Sequence, residues 1–137
     1  MSLTDDKSQE ILQAISLLKP HSVFVYLLGS YGTPRFHKES DIDFAFFSKK
    51  ELDFENHIQL KTQLEDIFQR EVDLVSLNKI DPIFARQVIE TGRVLFCEEP
   101  SAIPQWIAEQ NSKYIDFKLD RKKIEENLLK KKSYNGK

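Results

Sequence analysis

The sequence predicts an α+β domain in which helices pack against one small, mixed sheet of three or four strands. Two observations lead to this fold class. Apolar residues recur at helical spacing in four segments, and short apolar runs bounded by polar residues, Gly or Pro lie between them. The length of 137 residues, with 40% hydrophobic and 31% charged residues, fits one compact domain. We therefore expect a single domain over 1–137, with its core at about 8–97 and a helical extension at about 104–132.

The N-terminal third predicts a helix, a buried strand and a polar turn. Residues 4–19 carry apolar side chains at helical spacing, and Asp5 or Asp6 can cap this helix. Residues 21–28 form a short apolar run with β-branched and aromatic side chains, which is typical of a buried strand. The polar segment 29–40 leads to the next strand. Its length fits either a hairpin or a crossover, so strand direction stays open.

The middle of the chain alternates strand and helix. Residues 41–48 and 71–77 predict two strands, and residues 54–70 predict the helix between them. The apolar stripe expected to be buried on this helix consists of Ile58, Leu60, Leu64, Ile67 and Phe68.

The next helix has clear signals at both ends. Asp81 followed by Pro82 predicts an N-cap and a first helical residue, and Gly92 ends a helix that runs to about residue 90. The apolar run 93–97 then predicts a short fourth strand.

The last predicted helix begins near Pro104 and is long. We interpret Trp106 and the aromatic residues after it as core packing rather than as a partner surface. The basic clusters at 121–123 and 130–132 are interpreted as a solvated helix end rather than as an RNA-binding tail. A net charge of −2 also argues against direct binding of nucleic acid through phosphates.

Two aspartates on one strand are the first chemical signal. Side chains alternate between the faces of a strand, so Asp41 and Asp43 share one face while Ile42 and Phe44 share the other. Two carboxylates this close repel unless a cation lies between them, and Mg²⁺ prefers a few carboxylates together with waters and phosphate oxygens. Asp73 lies in an otherwise apolar strand, where an unpaired carboxylate is costly to bury. If the two strands are neighbours, three carboxylates converge and could hold two metal ions.

A glycine–serine turn is the second signal. Gly29 and Ser30 directly follow the first buried strand. Glycine permits a sharp turn that exposes backbone N–H groups, which can hold phosphate oxygens together with the Ser30 hydroxyl. A phosphate-binding turn next to metal-binding carboxylates predicts a site for a nucleotide.

The spacing of these residues resembles a known superfamily. Gly29-Ser30, ten residues, and then Asp41-Ile42-Asp43 is similar to the GS-x10-DxD signature of the DNA polymerase beta-like nucleotidyltransferases. The short chain resembles the minimal nucleotidyltransferases, and more narrowly the MntA family of antitoxins, over about residues 8–97. Many relatives continue as GS-x-A-R-G, whereas Thr33 and Pro34 stand at the Arg and Gly positions here.

The resemblance implies an activity and roles for individual residues. The fold would be that of DNA polymerase beta-like nucleotidyltransferases, with Asp41, Asp43 and Asp73 as catalytic metal ligands for two Mg²⁺ ions and with Gly29 and Ser30 at the triphosphate of ATP. Arg35 and Lys38 are candidates for the positive charge that position 33 lacks. The MntA family transfers AMP to a tyrosine of a HEPN-domain toxin, HepT, and silences its RNase activity, which implies a hetero-oligomer with that toxin.

Other functions stay open at this point. A small-molecule nucleotidyltransferase of the aminoglycoside type would need an acidic acceptor cleft, and none is evident. An antitoxin that neutralises its toxin by binding alone is compatible with the sequence, because Thr33 stands where many nucleotidyltransferases have Arg. An RNA-binding module is disfavoured by charge. The single cysteine, Cys97, excludes an internal disulfide, and the absence of a long apolar run or an apolar leader favours a cytoplasmic protein without a membrane partner.

Overall fold

A computed structural model describes residues 3–29, 31 and 41–135 of the chain, with side chains described between residues 9 and 129 of these ranges. The elements, in chain order, are α1 (Leu3–Leu18), a 3₁₀ turn (Lys19–His21), β1 (Ser22–Leu28), β2 (Ile42–Ser48), α2 (Phe54–Phe68), β3 (Val72–Ser76), α3 (Pro82–Thr91), β4 (Arg93–Cys97) and α4 (Ala102–Asn135). Every predicted helix and strand is present, and most of their ends shift by only one or two residues.

The ends of the helices follow local chemistry. The Asp81 carboxylate accepts hydrogen bonds from the N–H groups of Ile83 and Phe84, so the predicted cap of α3 is confirmed. Helix α2 stops at Phe68 because Gln69 adopts a left-handed backbone with φ of 54°. Helix α1 begins at Leu3 and includes Asp5 and Asp6, whose side chains lie outside the described ones, so their capping role stays a prediction.

The sheet is mixed and has the strand order β3-β2-β1-β4. Strand β1 pairs antiparallel with both β2 and β4, whereas β2 and β3 are parallel. The connection from β1 to β2 is therefore of the hairpin type, which decides the alternative that the sequence left open. The α+β fold class with a mixed four-stranded sheet is confirmed.

Each face of the sheet carries its own apolar cluster. One face packs against α1 and α2 and includes the buried side chains of Val25, Phe44 and Leu64. The other face packs against α3 and α4 through Val88 and Trp106. Ile58 was expected in the first cluster but is 41% exposed, because it lies on the edge of the α2 stripe rather than at its centre.

Between residues 102 and 129, where its side chains are described, helix α4 packs on the domain through its first turns. Trp106 is buried against Phe24, with ring centroids 5.5 Å apart, and Gln110 is the last buried residue. The interpretation of core packing is confirmed for Trp106 but wrong for Phe117, which is 37% exposed. Farther along α4, six apolar side chains are exposed. They are Ile115, Phe117, Leu119, Ile124, Leu128 and Leu129. Helical periodicity alone does not show whether a neighbouring element is there to cover an apolar face.

None of the helices in the described part of the chain combines the length and the apolar character of a membrane span.

Candidate active site

Two aspartates face each other across the parallel strands. The register between β2 and β3 pairs Ile42 with Val72, Asp43 with Asp73, and Phe44 with Leu74. The apolar members of this ladder are buried against α1 and α2. Because side chains alternate across a strand, Asp43 and Asp73 lie together on the opposite face, on strands about 4.8 Å apart.

Hydrogen bonds at both ends of the two strands fix this register. At one end, the N–H of Val72 donates to Glu65 Oε2 at 3.1 Å, and the N–H of Ile42 donates to the carbonyl of Glu71 at 3.4 Å. At the other end, Asn78 accepts from the N–H of Ser48 at 2.9 Å and donates back to the Ser48 carbonyl at 3.1 Å. A slip by one residue would break these contacts and turn the aspartates into the apolar core.

The two carboxyl groups are electrostatically coupled. The pKa of Asp43 is raised from 3.8 to about 6. The largest cause is burial, followed by the charge of Asp73 and by hydrogen bonding with that side chain. Asp41 adds a smaller repulsion. A site that holds negative charges together in this way favours a bound cation over two free carboxylates.

Asp41 lies just before β2 and is exposed. Among residues 3–29, 31 and 41–135, no three His, Cys, Asp or Glu side chains form a group that could hold a metal ion as they stand. The structure thus brings Asp43 and Asp73 together, while the convergence of Asp41 with them stays a prediction.

Gly29 places the end of β1 against this pair. Leu28 pairs with Asp43 across the sheet, and Gly29 follows with a positive φ of 77°. A Cβ atom at Gly29 would lie 3.2 Å from Asp43 Oδ2. Glycine is therefore required here both for the left-handed backbone and for the close approach to the carboxylate.

Arg93, the first residue of β4, is hydrogen-bonded to both sides of the turn that follows β1. Its Nη2 donates to the carbonyl of Tyr31 at 2.6 Å and to the carbonyl of Gly29 at 3.3 Å. The Tyr31 ring is buried and meets the Phe68 ring edge-on, with centroids 5.3 Å apart. The turn is thus anchored in the core on one side and by a guanidinium group on the other.

A cleft of about 440 Å³ opens beside the carboxylates. It is bounded by the ends of β1, β2 and β3 on one side and by α3 on the other. Its lining residues are Leu28, Gly29, Asp43, Asp73, Val75, Phe84, Gln87, Val88 and Thr91. Both carboxylates therefore border a space large enough for a substrate.

Comparison with known families matches residues 10–101 to the family described as Polymerase beta, Nucleotidyltransferase. The chain belongs to this nucleotidyltransferase family. The matched residues include Gly29 and all three aspartates, and the resemblance drawn from the signature is confirmed.

This nucleotidyltransferase is similar to the protein adenylyltransferase MntA of Shewanella oneidensis, with 32% identity over 77 residues. That stretch is 56% of this chain and 55% of the relative, so the match spans about half of the curated relative's length.

Two solved structures are similar along nearly their whole length. A toxin-antitoxin crystal structure with AMP-PNP has a TM-score of 0.74 and 25% identity, over 88% of this chain and 97% of that one. A structure of a tri-AMPylated Shewanella oneidensis HEPN toxin in complex with MNT antitoxin has a TM-score of 0.73 and 25% identity, over 90% and 98% of the two chains.

The donor set of this nucleotidyltransferase fits Mg²⁺. Asp43 and Asp73 offer only oxygen atoms and are held in register by two strands. Burial, and then the charge of Asp73, raises the pKa of Asp43. Magnesium binds such carboxylate oxygens and completes its shell with waters and substrate phosphates.

Some predicted site residues of the nucleotidyltransferase cannot be compared with the structure. Ser30, Arg35 and Lys38 lie outside the described residues, so their contacts with nucleotide stay predictions.

The structure also places residues in the site that the sequence did not single out. Phe84, Gln87 and Thr91 line the cleft from α3, and Arg93 holds the turn. These residues belong to no sequence motif, so only the packing of α3 and β4 against β1 shows that they lie near the site.

Proposed function

We propose that the chain is a Mg²⁺-dependent protein adenylyltransferase that transfers AMP from ATP to a tyrosine hydroxyl of a HEPN-domain toxin and thereby neutralises its RNase activity. The single observation that carries the proposal is the pairing of Asp43 with Asp73 beside the Gly29 turn. The similarity to MntA, and to an antitoxin in complex with a tri-AMPylated toxin, supports this acceptor.

The reaction is an in-line displacement at phosphorus. The tyrosine oxygen attacks the α-phosphorus of ATP, a bond forms between these atoms, and the bond to the bridging α–β oxygen breaks. Pyrophosphate leaves with the electron pair of that bond. Asp73, which is exposed and lines the cleft, accepts the hydroxyl proton. Positioning and charge stabilisation account for most of the rate in such reactions.

Each part of the site has one task in this proposal. Asp43 and Asp73, with Asp41, would hold two Mg²⁺ ions, which neutralise charge that develops on the phosphate oxygens. The turn at Gly29 and Ser30 binds the outer phosphates. The α3 wall, with Phe84 and Gln87, supplies apolar and amide surface for the parts of the substrates beyond the phosphates.

Labelled ATP tests the proposal directly. The protein is incubated with Mg²⁺ and the HEPN protein encoded beside it, in parallel with ATP labelled at the α- or the γ-phosphorus. Adenylyl transfer moves only the α-label to the partner, and mass spectrometry then locates AMP on tyrosine. Transfer of the γ-label, or no transfer by the wild type, would contradict the proposal.

Matched variants connect the activity to the site. Asp43→Asn and Asp73→Asn should each lower label transfer by at least about a hundredfold, as expected for loss of a charge that stabilises the transition state. Asp66→Asn is the control, because Asp66 is exposed on α2, on the other face of the sheet.

A second candidate is an antitoxin that neutralises the toxin by contact alone. The observation that favours it is the exposed apolar distal half of α4, which includes Phe117, Ile124 and Leu128. Exposed apolar residues in such number often mark a protein interface. Full neutralisation of the toxin by the Asp43→Asn/Asp73→Asn variant would favour this function over the enzymatic one.

A further inference from the structure

We propose that the α3 wall of the cleft, formed by Phe84, Gln87 and Thr91, is the site of the nucleobase: Phe84 stacks on the base, and the Gln87 amide selects adenine. This inference rests on the proposed function, because it presumes that a nucleoside triphosphate reacts at the carboxylates. It assigns the base to one helix, whereas the signature motif concerns only phosphates and metal ions.

The pairing of the strands defines the direction in which the nucleotide lies. Leu28, Asp43 and Asp73 form one row across β1, β2 and β3, and Gly29 follows at the β1 end of this row. In phosphoryl transfer the attacking and leaving oxygens lie in line through phosphorus. With pyrophosphate at Gly29 and the attacking hydroxyl at Asp73, these two groups occupy opposite ends of the row. The nucleoside is bonded to another oxygen of the same phosphorus, so it leaves the row sideways.

The cleft extends sideways from this row, along the strands. Its floor includes Val75, which lies two residues after Asp73 on the same face of β3 and about 7 Å farther along the strand. Its wall is α3, where Phe84, Gln87 and Thr91 recur at intervals of three and four residues and therefore share one helix face. A planar base that leaves the row on this side lies between the sheet and α3.

Tight packing holds the α3 wall in place. Ala85 and Val88, which neighbour the cleft-lining residues on the helix, are fully buried against the sheet. Gly92 allows the end of α3 to approach β1, since an added Cβ would lie 2.6 Å from the Val88 carbonyl and 2.7 Å from Tyr26 Cδ1. A wall that is fixed before the ligand binds lowers the entropic cost of ordering a base.

The side chains of the α3 wall match adenine. Phe84 is 37% exposed and borders the cleft, so its ring is accessible for stacking. The Thr91 hydroxyl already donates to the Gln87 carbonyl at 2.7 Å, whereas the exposed Gln87 amide has no hydrogen-bond partner within the described part of the chain. An amide offers a donor beside an acceptor. Adenine presents the complementary pair at N6 and N7, whereas guanine presents two acceptors at O6 and N7.

Equilibrium binding of three ligands tests the inference. Dissociation constants of ATP, GTP and inorganic triphosphate, each with Mg²⁺, are measured by calorimetry for the wild type, Phe84→Ala and Gln87→Ala. We expect Phe84→Ala to weaken the binding of both nucleotides about tenfold, the loss expected for one stacking contact, and to leave inorganic triphosphate unchanged. Gln87→Ala should lower the ratio of ATP affinity to GTP affinity about tenfold, because the contact that distinguishes the two bases is lost.

Inorganic triphosphate separates base binding from general damage. A variant that merely loosens the fold weakens all three ligands alike, so an unchanged ratio of ATP to triphosphate affinity in Phe84→Ala would overturn the inference. If Phe84→Ala does not fold, Phe84→Leu keeps apolar volume without the ring and supplies the same ratio. Ile83→Ala is the matched control, because Ile83 is exposed on the same helix but does not line the cleft.

The acceptor is the other possible occupant of the cleft. Variants of Phe84 and Gln87 that bind ATP like the wild type but transfer no AMP would show that the α3 wall holds the acceptor. That result would overturn this inference and leave the proposed function standing. A wild type that binds no ATP would instead refute the proposed function, and the inference with it.

Discussion

Asp43 on β2 lies directly opposite Asp73 on β3, on a face of the sheet that is otherwise packed with apolar residues. Two acids in such contact destabilise a metal-free fold once both are ionised. The chain keeps them together through the register of two parallel strands. Binding of a cation between the two carboxylates would therefore remove the repulsion between them.

The first prediction concerns pH. The carboxyl of Asp43 has an ordinary pKa of 3.8 and a pKa of about 6 in the fold. Its contribution to stability is therefore fully present below pH 3.8 and is lost as the pH rises through about 6. In a metal chelator at pH 7, Asp43→Asn should be more stable than the wild type by about 1 kcal/mol, a value reduced for solvent screening.

Thermal unfolding measures this effect across the pH range. The difference in melting temperature between Asp43→Asn and the wild type should be near zero at pH 3.5 and reach about 3 °C at pH 7. Asp66→Asn, which changes an exposed carboxylate on α2, is the control variant. An equally stable wild type and Asp43→Asn at pH 7 would contradict the assigned coupling.

The second prediction concerns magnesium. At pH 7, Mg²⁺ should raise the melting temperature of the wild type, because a ligand that binds only the folded state stabilises it by about 1.4 kcal/mol at ten times its dissociation constant. The Asp43→Asn/Asp73→Asn variant should not respond. Sodium chloride at matched ionic strength controls for screening, and an equal rise in the double variant would place the ion elsewhere.

How far the sequence reaches is clear from these same residues. The alternation of side chains along the strand predicted that Asp43 lies on the face opposite to Ile42 and Phe44, because strand periodicity is a local property. That Asp73 would be its partner required the β2–β3 pairing, which the sequence suggested only conditionally. Arg93 could not be predicted, since its partners are backbone carbonyls on a distant segment. The exposure of Phe117 was missed for a related reason: an apolar helix face does not reveal whether a neighbour covers it.

The third prediction concerns the glycine of the turn. Gly29→Ala places a side chain in a left-handed conformation and 3.2 Å from Asp43 Oδ2. The backbone strain alone should cost about 1–2 kcal/mol of unfolding free energy. The turn should also shift, so ATP affinity falls along with stability. Chemical denaturation and calorimetry measure the two effects, and an Ala variant with unchanged ATP affinity would show that the turn tolerates displacement.

The fourth prediction concerns Gly92, whose φ of −75° is open to any residue. Gly92→Ala should still destabilise the fold by about 1–3 kcal/mol, because its methyl group would overlap the Val88 carbonyl and the Tyr26 ring. Chemical denaturation measures this loss, and a neutral substitution would show that α3 is free to move away from β1.

The fifth prediction separates the two halves of α4. Trp106 is 3% exposed and packs on Phe24, so Trp106→Ala should cost about 3–5 kcal/mol of unfolding free energy. Ile124 is 59% exposed on the same helix, and Ile124→Ala should change stability by less than about 0.5 kcal/mol. Chemical denaturation of both variants measures the contrast. A large loss of stability at Ile124 would mean that the distal half of α4 is covered in solution, for example by a second copy of the chain. Unfolding measured at several protein concentrations would then reveal that association, because only an oligomeric folded state becomes more stable as the protein concentration rises.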